Sequence, residues 1–470
     1  MQRIVIKSTD FFKEIALIDD GKVVEFLFDS SLNKEEVENF YKAKIVDKIE
    51  ALNTIFVDIG FEKKAFLSLR KFENIDNFKI DDEILVQIKK EQREEKGAEV
   101  TLDFSITSKN LVLLPNSKKI SLSNKIENTA EKERLYKLFN EINVENIGLI
   151  IRTSATNVDS AVLNKEYNNL ILKWKDVLKN YSHVKSGKLV YRHNNILEKI
   201  FREYFDINTE ELIVDDEKFY EKILRYIDEN NLEIPKNKIR RFFKNEDIFS
   251  YFVLDVELEN ALKKKLWLKS GAYLFIEKTQ ALISIDVNSG RNIENKKREE
   301  TALHTNIEAA IEIARQLRLR NLAGIIIIDF IDMKKNKDRN YLLKILKENL
   351  SKDRLKPEIN SFSSLNLIQL TRKREGRELS FYFNEVCPHC GGNGFIESEE
   401  KRILNFLHEI KELSKDRDIK KIELKAEEKF INKIKKDFIE YIDKILENKK
   451  IEFTVDKNYE NNAYKINLYK

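Results

Sequence analysis

Cysteine is almost missing from this chain. Its 470 residues hold two, Cys387 and Cys390, inside one short run, CPHCGGNG, at 387–394. That count excludes a disulfide framework. Proline (4) and glycine (12) are scarce, while isoleucine, lysine and asparagine abound, which reads as genomic composition before function. An excess of one charge is missing too: 85 Lys and Arg stand against 81 Asp and Glu, a net +4, so no global field commits the chain to a polyanion. Any polyanion site must come from local clustering. No apolar run approaches the ~18 residues of a membrane span. The opening MQRIVIKSTDFFKEIALIDDG turns acidic after a short apolar run and offers no small-residue cleavage site, so it does not read as a secretory signal. The expectation is a soluble, cytoplasmic protein with no membrane span.

What is present supports globular folding: 42% of residues are apolar and 35% charged. The length suits about two to four domains. The first 30 residues read as short strands, too few to close a core alone, so they must pair with a later segment. Residues 197–265 carry no clear chemistry and are the natural partner. From Phe40 to about Leu114 the pattern is all-β, with FYKAKIVDKI, TIFVDIG, KAFLSL, EILVQIKKE, AEVTLDF and NLVLLPN as short strands. Such a set suits a small barrel of the OB type. Period-two alternation puts Ile55, Val57 and Ile59 on one face with Leu67 and Leu69, and leaves Phe56 and Phe66 on the other. Two aromatics on a polar face near Lys63, Lys64 and Lys96 suit single-stranded bases. They are equally ordinary as half-buried sheet residues. Helices are expected at 127–145 and 158–180, and a strand at GKLVYRH.

Residues 271–330 are the most informative. AYLFIEKTQALISID reads as two strands, EETALHTNIEAAIEIARQLRLRNLAG as an amphipathic helix closed by Gly324, and IIIID as a buried strand. Strand, helix, strand is a parallel unit with a right-handed crossover. Asp286 ends its first strand and Asp329 its second, so both carboxylates fall on the edge where open α/β sheets place their sites. Like charges so placed repel, and a hard divalent cation such as Mg²⁺ relieves the repulsion. Asn288 lies two residues beyond Asp286, on the same side of an extended chain. The Ser289-Gly290-Arg291 turn adds a cation, and Asp332 a further carboxylate. The plainer reading of a strand-end Asp is a turn former or cap. Arg152-Thr153, ending GLIIRT, offers a fork donor and a hydroxyl that suit a terminal phosphate. TRKR at 371–374 places Arg372 and Arg374 in a basic cluster able to track a phosphate backbone, although such runs are usually solvated faces. His183, His193, His304 and His408 have no partner at zinc or triad spacing and read as structural. His389, between the cysteines, does not read as a ligand.

ALISIDVNSGR, then EETALHTNIEAAIEIARQLRLRNLAGIIIIDFIDM, then CPHCGGNG resemble the signature run of the ribonuclease E/ribonuclease G family. The resemblance extends over nearly the whole chain and favours the family's shorter form, without a disordered scaffold tail. It implies a multidomain α/β and α+β architecture. Residues 1–35 with 200–262 would form a split, non-catalytic RNase H-like domain. Inserted into it would be an OB-fold RNA-binding barrel (36–115) and a 5′ sensor (116–199). A DNase I-like catalytic domain (263–385), a zinc link (386–398) and a small C-terminal α/β dimerisation domain (399–470) would follow. By motif match, Asp286 and Asp329 would bind a catalytic Mg²⁺ and Asn288 would orient Asp286. Arg152 and Thr153 would hold a 5′-monophosphate, and Phe56, Phe66 and Lys96 would clamp RNA. Cys387 and Cys390 would be half of a Zn²⁺ site shared between two chains, giving a homodimer or a dimer of dimers. Without the resemblance, the CxxC reads as a redox pair or an accident, and two cysteines cannot complete a four-thiolate site in one chain.

The implied activity is Mg²⁺-dependent endonucleolytic cleavage of single-stranded, A-U-rich RNA in rRNA maturation and mRNA decay, leaving a 5′-phosphate and a 3′-hydroxyl. The sensor departs from the family pattern: Ser154-Ala155-Thr156-Asn157 follows the Arg-Thr, and Ser123-Asn124-Lys125-Ile126 replaces paired basics. Strict dependence on a 5′-monophosphate therefore does not follow. The competing readings are a non-catalytic RNA-binding or ribosome-assembly protein and a DNA nuclease on the same fold. Retention of Asp286, Asn288 and Asp329 weighs against the first.

Overall fold

A computed structural model of the chain describes residues 2–30, 36–69, 75–92, 96–143, 145–193, 196–230, 232–290, 298–447, 449–456 and 464–469. It divides into two units, residues 1–382 and 383–470. No helix among the described residues is long and apolar enough to cross a membrane.

The N-terminal strands solve their missing core by pairing far along the chain. Gln2–Ser8 runs parallel to Thr209–Val214, which pairs with Ile239–Arg241; on its other side Gln2–Ser8 pairs with Phe12–Asp19, and that with Lys22–Ser30. Apolar residues on both faces explain why the sheet is covered twice. Ile4, Ile6, Ile15 and Leu17 pack with Phe219 and Ile223, while Val5 and Ala16 pack with Phe249 and Leu254.

A closed barrel follows. Phe40–Ile49 pairs with Thr54–Asp58 along one stretch and with Glu83–Lys90 along another, and Ala65–Ser68 and Glu99–Thr101 complete the circuit. Ile45, Ile55, Val57, Leu67, Val86, Ile88 and Val100 fill its interior. Leu111–Leu114, which the sequence pattern assigned to the barrel, lies outside this circuit. That strand lies instead in a four-stranded sheet with Ile106–Thr107, Ile120–Leu122 and Gly148–Ile151. There Leu111 and Leu113 are buried with Leu135 and Phe139 of helix Thr129–Ile142 and Leu163 and Leu170 of helix Ser160–His183. Lys188–Tyr191, in turn, pairs with Phe40 to Lys42 of the barrel. His193 is fully buried beside it; its Nε2 accepts the Thr107 amide at 3.3 Å, and burial pushes the imidazole down to about 3. It is a neutral packing residue.

The last part of the first unit is a six-stranded sheet in the order Lys265–Trp267, Tyr273–Lys278, Leu282–Asn288, Gly324–Asp329, Leu367–Arg372, Glu358–Phe362. Leu282–Asn288 and Gly324–Asp329 are parallel, joined by helix Arg298–Leu319. One face is dry: Leu274, Ile285, Ile326, Ile328 and Leu370 meet Ala310, Ile313, Leu317, Leu342 and Leu346 of helices Arg298–Leu319 and Asn336–Leu350. The crossover helix does not end at Gly324. Asn321, at φ 50°, takes the left-handed position; its amide bonds to Arg318 O at 3.0 Å and the Leu322 amide to Leu317 O at 3.0 Å, with Leu317 and Leu322 both buried. This is a Schellman end closed by asparagine, the residue after glycine best suited to that backbone region.

Arg372, expected among the RNA-binding cations, is instead buried with Asp353. Its Nε lies 2.6 Å from Asp353 Oδ2, both side chains are 2% exposed, and Nη1 donates to Asn321 Oδ1 and Leu322 O. The alternation of Leu367–Arg372 turns Ile368, Leu370 and Arg372 inward together, so the guanidinium follows the apolar face. Arg374, two residues past the strand, is exposed.

The second unit has a three-stranded sheet, Lys450–Val455, Lys421–Ala426, Lys465–Tyr469, the first pair parallel and the second antiparallel. Helices Glu399–Ser414, Glu428–Asp437 and Ile439–Leu446 pack Phe406, Phe430 and Ile442 on Ile422 and Leu424.

Removing one partner of the buried pair strands the other's charge. Asp353→Ala should cost about 3–5 kcal/mol of stability in a denaturation curve. Asp353→Leu with Arg372→Met should recover most of that loss; no recovery would mean the charges themselves are required.

Candidate active site

The parallel register sets Asp286 directly opposite Asp329, at matched ends of adjacent strands. Ile283, Ile285 and Val287 alternate with Asp286, as Ile326 and Ile328 do with Asp329. Burial of the isoleucine face therefore drives both carboxylates onto the open face, and a slip of one residue would bury them. Asp329's carboxyl is pushed above its ordinary range by partial burial and then by the charges of Asp286 and Asp332. Asn288 Nδ2 donates to Asp286 Oδ2 at 2.7 Å. Asp332 is exposed nearby in sequence, as a further negative charge.

The surrounding loops are held from behind. Gly290 has φ +65°, and a Cβ there would lie 2.3 Å from Gly271 O, so the turn after Asn288 packs on the 270–271 turn only with glycine. Glu308 Oε1 accepts the Lys269 amide at 2.8 Å and steadies that second turn. Asn306 is fully buried; its Nδ2 donates to Ile331 O at 2.8 Å and its Oδ1 accepts the Ile331 amide at 3.0 Å. It pins the chain two residues past Asp329. The sequence signal for it is an asparagine within the apolar stripe of the crossover helix. Arg291, expected to add a cation, lies outside the described residues.

Two carboxylates and an amide at one sheet edge fit Mg²⁺, which is usually held by one or two carboxylates with waters filling the rest. Among the described residues no group of three or more His, Cys, Asp or Glu side chains is placed to hold a metal. The CPHCGGNG run offers different donors. Cys390's thiol is pulled below its usual range by the Gly394 and Gly392 amides, with Cys387's sulfur beside it. Gly391, Gly392 and Gly394 all have positive φ, which wraps the chain around the sulfur. Adjacent thiolates under backbone N–H groups suit Zn²⁺ but supply two of its usual four ligands.

On the barrel, Phe56 pairs directly with Phe66, and Phe66 with Glu99. Both rings are half-buried on the outer face, Lys96 is exposed, and Lys89 and Lys90 are ion-paired to Glu99 at 2.7 and 2.6 Å. Arg152 is half-buried, with Nη1 donating to Ser108 O at 2.8 Å and Lys109 O at 3.2 Å; Thr153 is exposed, its hydroxyl 3.1 Å from that of Ser123. Lys125's ammonium is held below its ordinary value by the Lys356 ammonium beside it and by Lys373.

Comparison with known proteins gives the same direction. The ribonuclease E/G family matches residues 105–375, and the RNase E/G thioredoxin-like domain matches residues 386–469. Ribonuclease G of Escherichia coli K12 is 32% identical over 425 residues, 87% of each chain. Ribonuclease G of Haemophilus influenzae is 33% identical over 414 residues, 84% of each. Ribonuclease E of E. coli K12 is 31% identical over 429 residues, 88% of this chain but 40% of that one.

An ionised Asp329 beside Asp286 opposes folding when no cation is present. Its folded value lies above its unfolded one, so metal-free stability should fall as pH rises through its titration. In EDTA at neutral pH, Asp329→Asn should melt above the parent protein. Added Mg²⁺ should raise the parent's Tm and leave the variant's unmoved; equal shifts would show that the pair does not hold the ion.

Proposed function

This chain belongs to the ribonuclease E/G family, and from that membership we propose that it is an endoribonuclease hydrolysing single-stranded, A-U-rich RNA in rRNA maturation and mRNA decay. The observation that carries the reading is the opposed pair Asp286 and Asp329, open to solvent on one sheet face with Asn288 bonded to the first. In this reading 263–385 is the DNase I-like catalytic domain, 36–115 less the strands Ile106–Thr107 and Leu111–Leu114 the OB-fold barrel, and 116–199 with those two strands the 5′ sensor. Residues 1–35 with 200–262 form the RNase H-like support.

The two carboxylates would hold Mg²⁺, which when bound supplies an acidified water and a counter-charge for the phosphate. Asp286 and Asp329 contribute paired negative charge at a fixed spacing. Asn288 satisfies one oxygen of Asp286 and would thereby orient that carboxylate as a ligand. Water adds in line to phosphorus, the P–O3′ bond breaks, and the products are a 3′-hydroxyl and a 5′-phosphate. No step uses a histidine. Phe56 and Phe66 would stack unpaired bases, which a duplex cannot offer. A-U preference follows from weak pairing. Arg152 and Thr153, the latter with its hydroxyl beside that of Ser123, would receive a 5′-monophosphate and stimulate cleavage without being required for it. Lys96 and Arg374 are exposed cations able to meet the backbone.

Cys387 and Cys390 would give half a Zn²⁺ site, completed by the same pair of a second copy, within a zinc link over 386–398. The 399–470 domain would support the resulting homodimer or dimer of dimers.

Asp286→Asn and Asp329→Asn should each abolish cleavage of a 3′-labelled RNA in Mg²⁺ while RNA binding persists, and Asn288→Ala should slow it about 10–100-fold. Lost binding would assign the carboxylates to structure. Cys387→Ser should release zinc and yield monomers by sedimentation; an intact dimer would refute the shared site.

A further inference from the structure

The face that carries the carboxylates also carries an aromatic cluster that neither the barrel nor the sensor explains. Pairing runs Lys265 to Phe275, Phe275 to Asp286 and Asp286 to Asp329 in one cross-strand row. The next row runs Trp267 to Tyr273 to Asn288. Directly paired residues share a face, with Cβ atoms about 4.5–5.5 Å apart. Leu266, Leu274 and Val287, the alternate residues, are buried on the other side.

The cluster is ordered and solvated together. Trp267 and Tyr273 have ring centroids 5.1 Å apart, and Tyr273 and Phe275 5.7 Å at 86°. Lys265 Nζ lies 4.1 Å from the Trp267 ring, 3.9 Å from Tyr273 and 5.9 Å from Phe275. Yet Trp267 is 62% exposed and Phe275 37%. Among the described residues no carboxylate pairs with Lys265. Its charge is balanced by ring faces, which leaves it able to meet a phosphate. Exposed rings around an unpaired cation, on the strands next to a phosphate-cleaving site, match what unpaired nucleotides need: a π surface for the base and a positive charge for the backbone. A second protein would meet a patch with that charge only by supplying a carboxylate beside Asp286 and Asp329, where negative charge is already in excess.

We propose that Lys265, Trp267, Tyr273 and Phe275 form a second base-stacking platform, contiguous with Asp286 and Asp329, which holds an unpaired nucleotide of the RNA beside the scissile phosphate. The inference rests on the nuclease reading above. Two strand spacings, about 10 Å, separate Trp267 from Asn288. A base seated on the platform therefore holds its own phosphate within reach of the carboxylates. The barrel's Phe56 and Phe66 would select single strands; this platform would set where the strand is cut.

The chain has two tryptophans, and Trp174 lies against the core of the sensor sheet, so intrinsic fluorescence can report on Trp267. The full chain carrying Asp329→Asn should be titrated in EDTA with a short 5′-hydroxyl A-U-rich RNA and with the same RNA as a duplex. The single strand should quench the emission and the duplex should not. Quenching should persist with Trp174→Phe and vanish with Trp267→Leu. In the otherwise unaltered enzyme, Trp267→Leu should raise KM about tenfold with little change in kcat. Lys265→Gln should lower the salt slope of RNA binding by about one. Unchanged KM and unchanged quenching in Trp267→Leu would overturn the platform. So would a smaller sedimenting species with full cleavage, which would assign the patch to a contact between copies. Absence of cleavage by the unaltered protein would instead refute the nuclease reading, and full cleavage by Asp329→Asn would refute the site; either leaves the fluorescence result independent.

Discussion

The arrangement depends on one unfavourable contact. Asp286 and Asp329 stand opposite each other in register, and burial of the apolar sides of their strands holds both on the open face. Among the described residues no cation pairs with either: the neighbouring Asp332 adds to the repulsion, and Asn288 offers an amide but no charge. A fold that buries Ile285, Ile326 and Ile328 to hold two like charges together has used hydrophobic burial to maintain an electrostatic conflict. Such conflicts mark functional sites more often than structural ones.

The rest of the sheet serves that edge. Asn306 reaches from the crossover helix to pin residue 331, Glu308 steadies the 269–270 turn, and Gly290 lets the two turns meet. At the opposite end of these strands, the Arg372–Asp353 pair ties the end of one strand to the 350–356 turn and to the helix end at Asn321 and Leu322. The open face is correspondingly left to a substrate, with carboxylates at its centre and aromatic rings on the adjoining strands.

Several residues were legible only in part. The alternation of TIFVDIG and KAFLSL separated Ile55, Val57 and Leu67 from Phe56 and Phe66, and the structure has the same separation. The same logic applied to NLVLLPN gave the right conformation and the wrong sheet, because a period-two pattern says which face is apolar and not which neighbour covers it. TRKR looked like a surface run since charge is visible in a sequence and burial is not; Arg372 sits in phase with Ile368 and Leu370 and goes in with them. Ile311 lies at helical spacing from the buried Ala314 yet is 40% exposed, while Ile313 is buried.

By itself the sequence determined the motifs that place the chain in its family, the strand–helix–strand unit, and the two acids at its strand ends. These are local properties: periodicity, turn residues and short ordered runs. Only the tertiary structure decided that Asp286 faces Asp329 in register, that Asn306 braces the loop beyond, that Lys125 meets Lys356, and that Lys265, Trp267, Tyr273 and Phe275 lie beside the carboxylates. Each of these joins residues on different strands, helices or turns. Which of them meet is set by strand order and register, quantities that depend on how whole faces pack and that no local run of residues records.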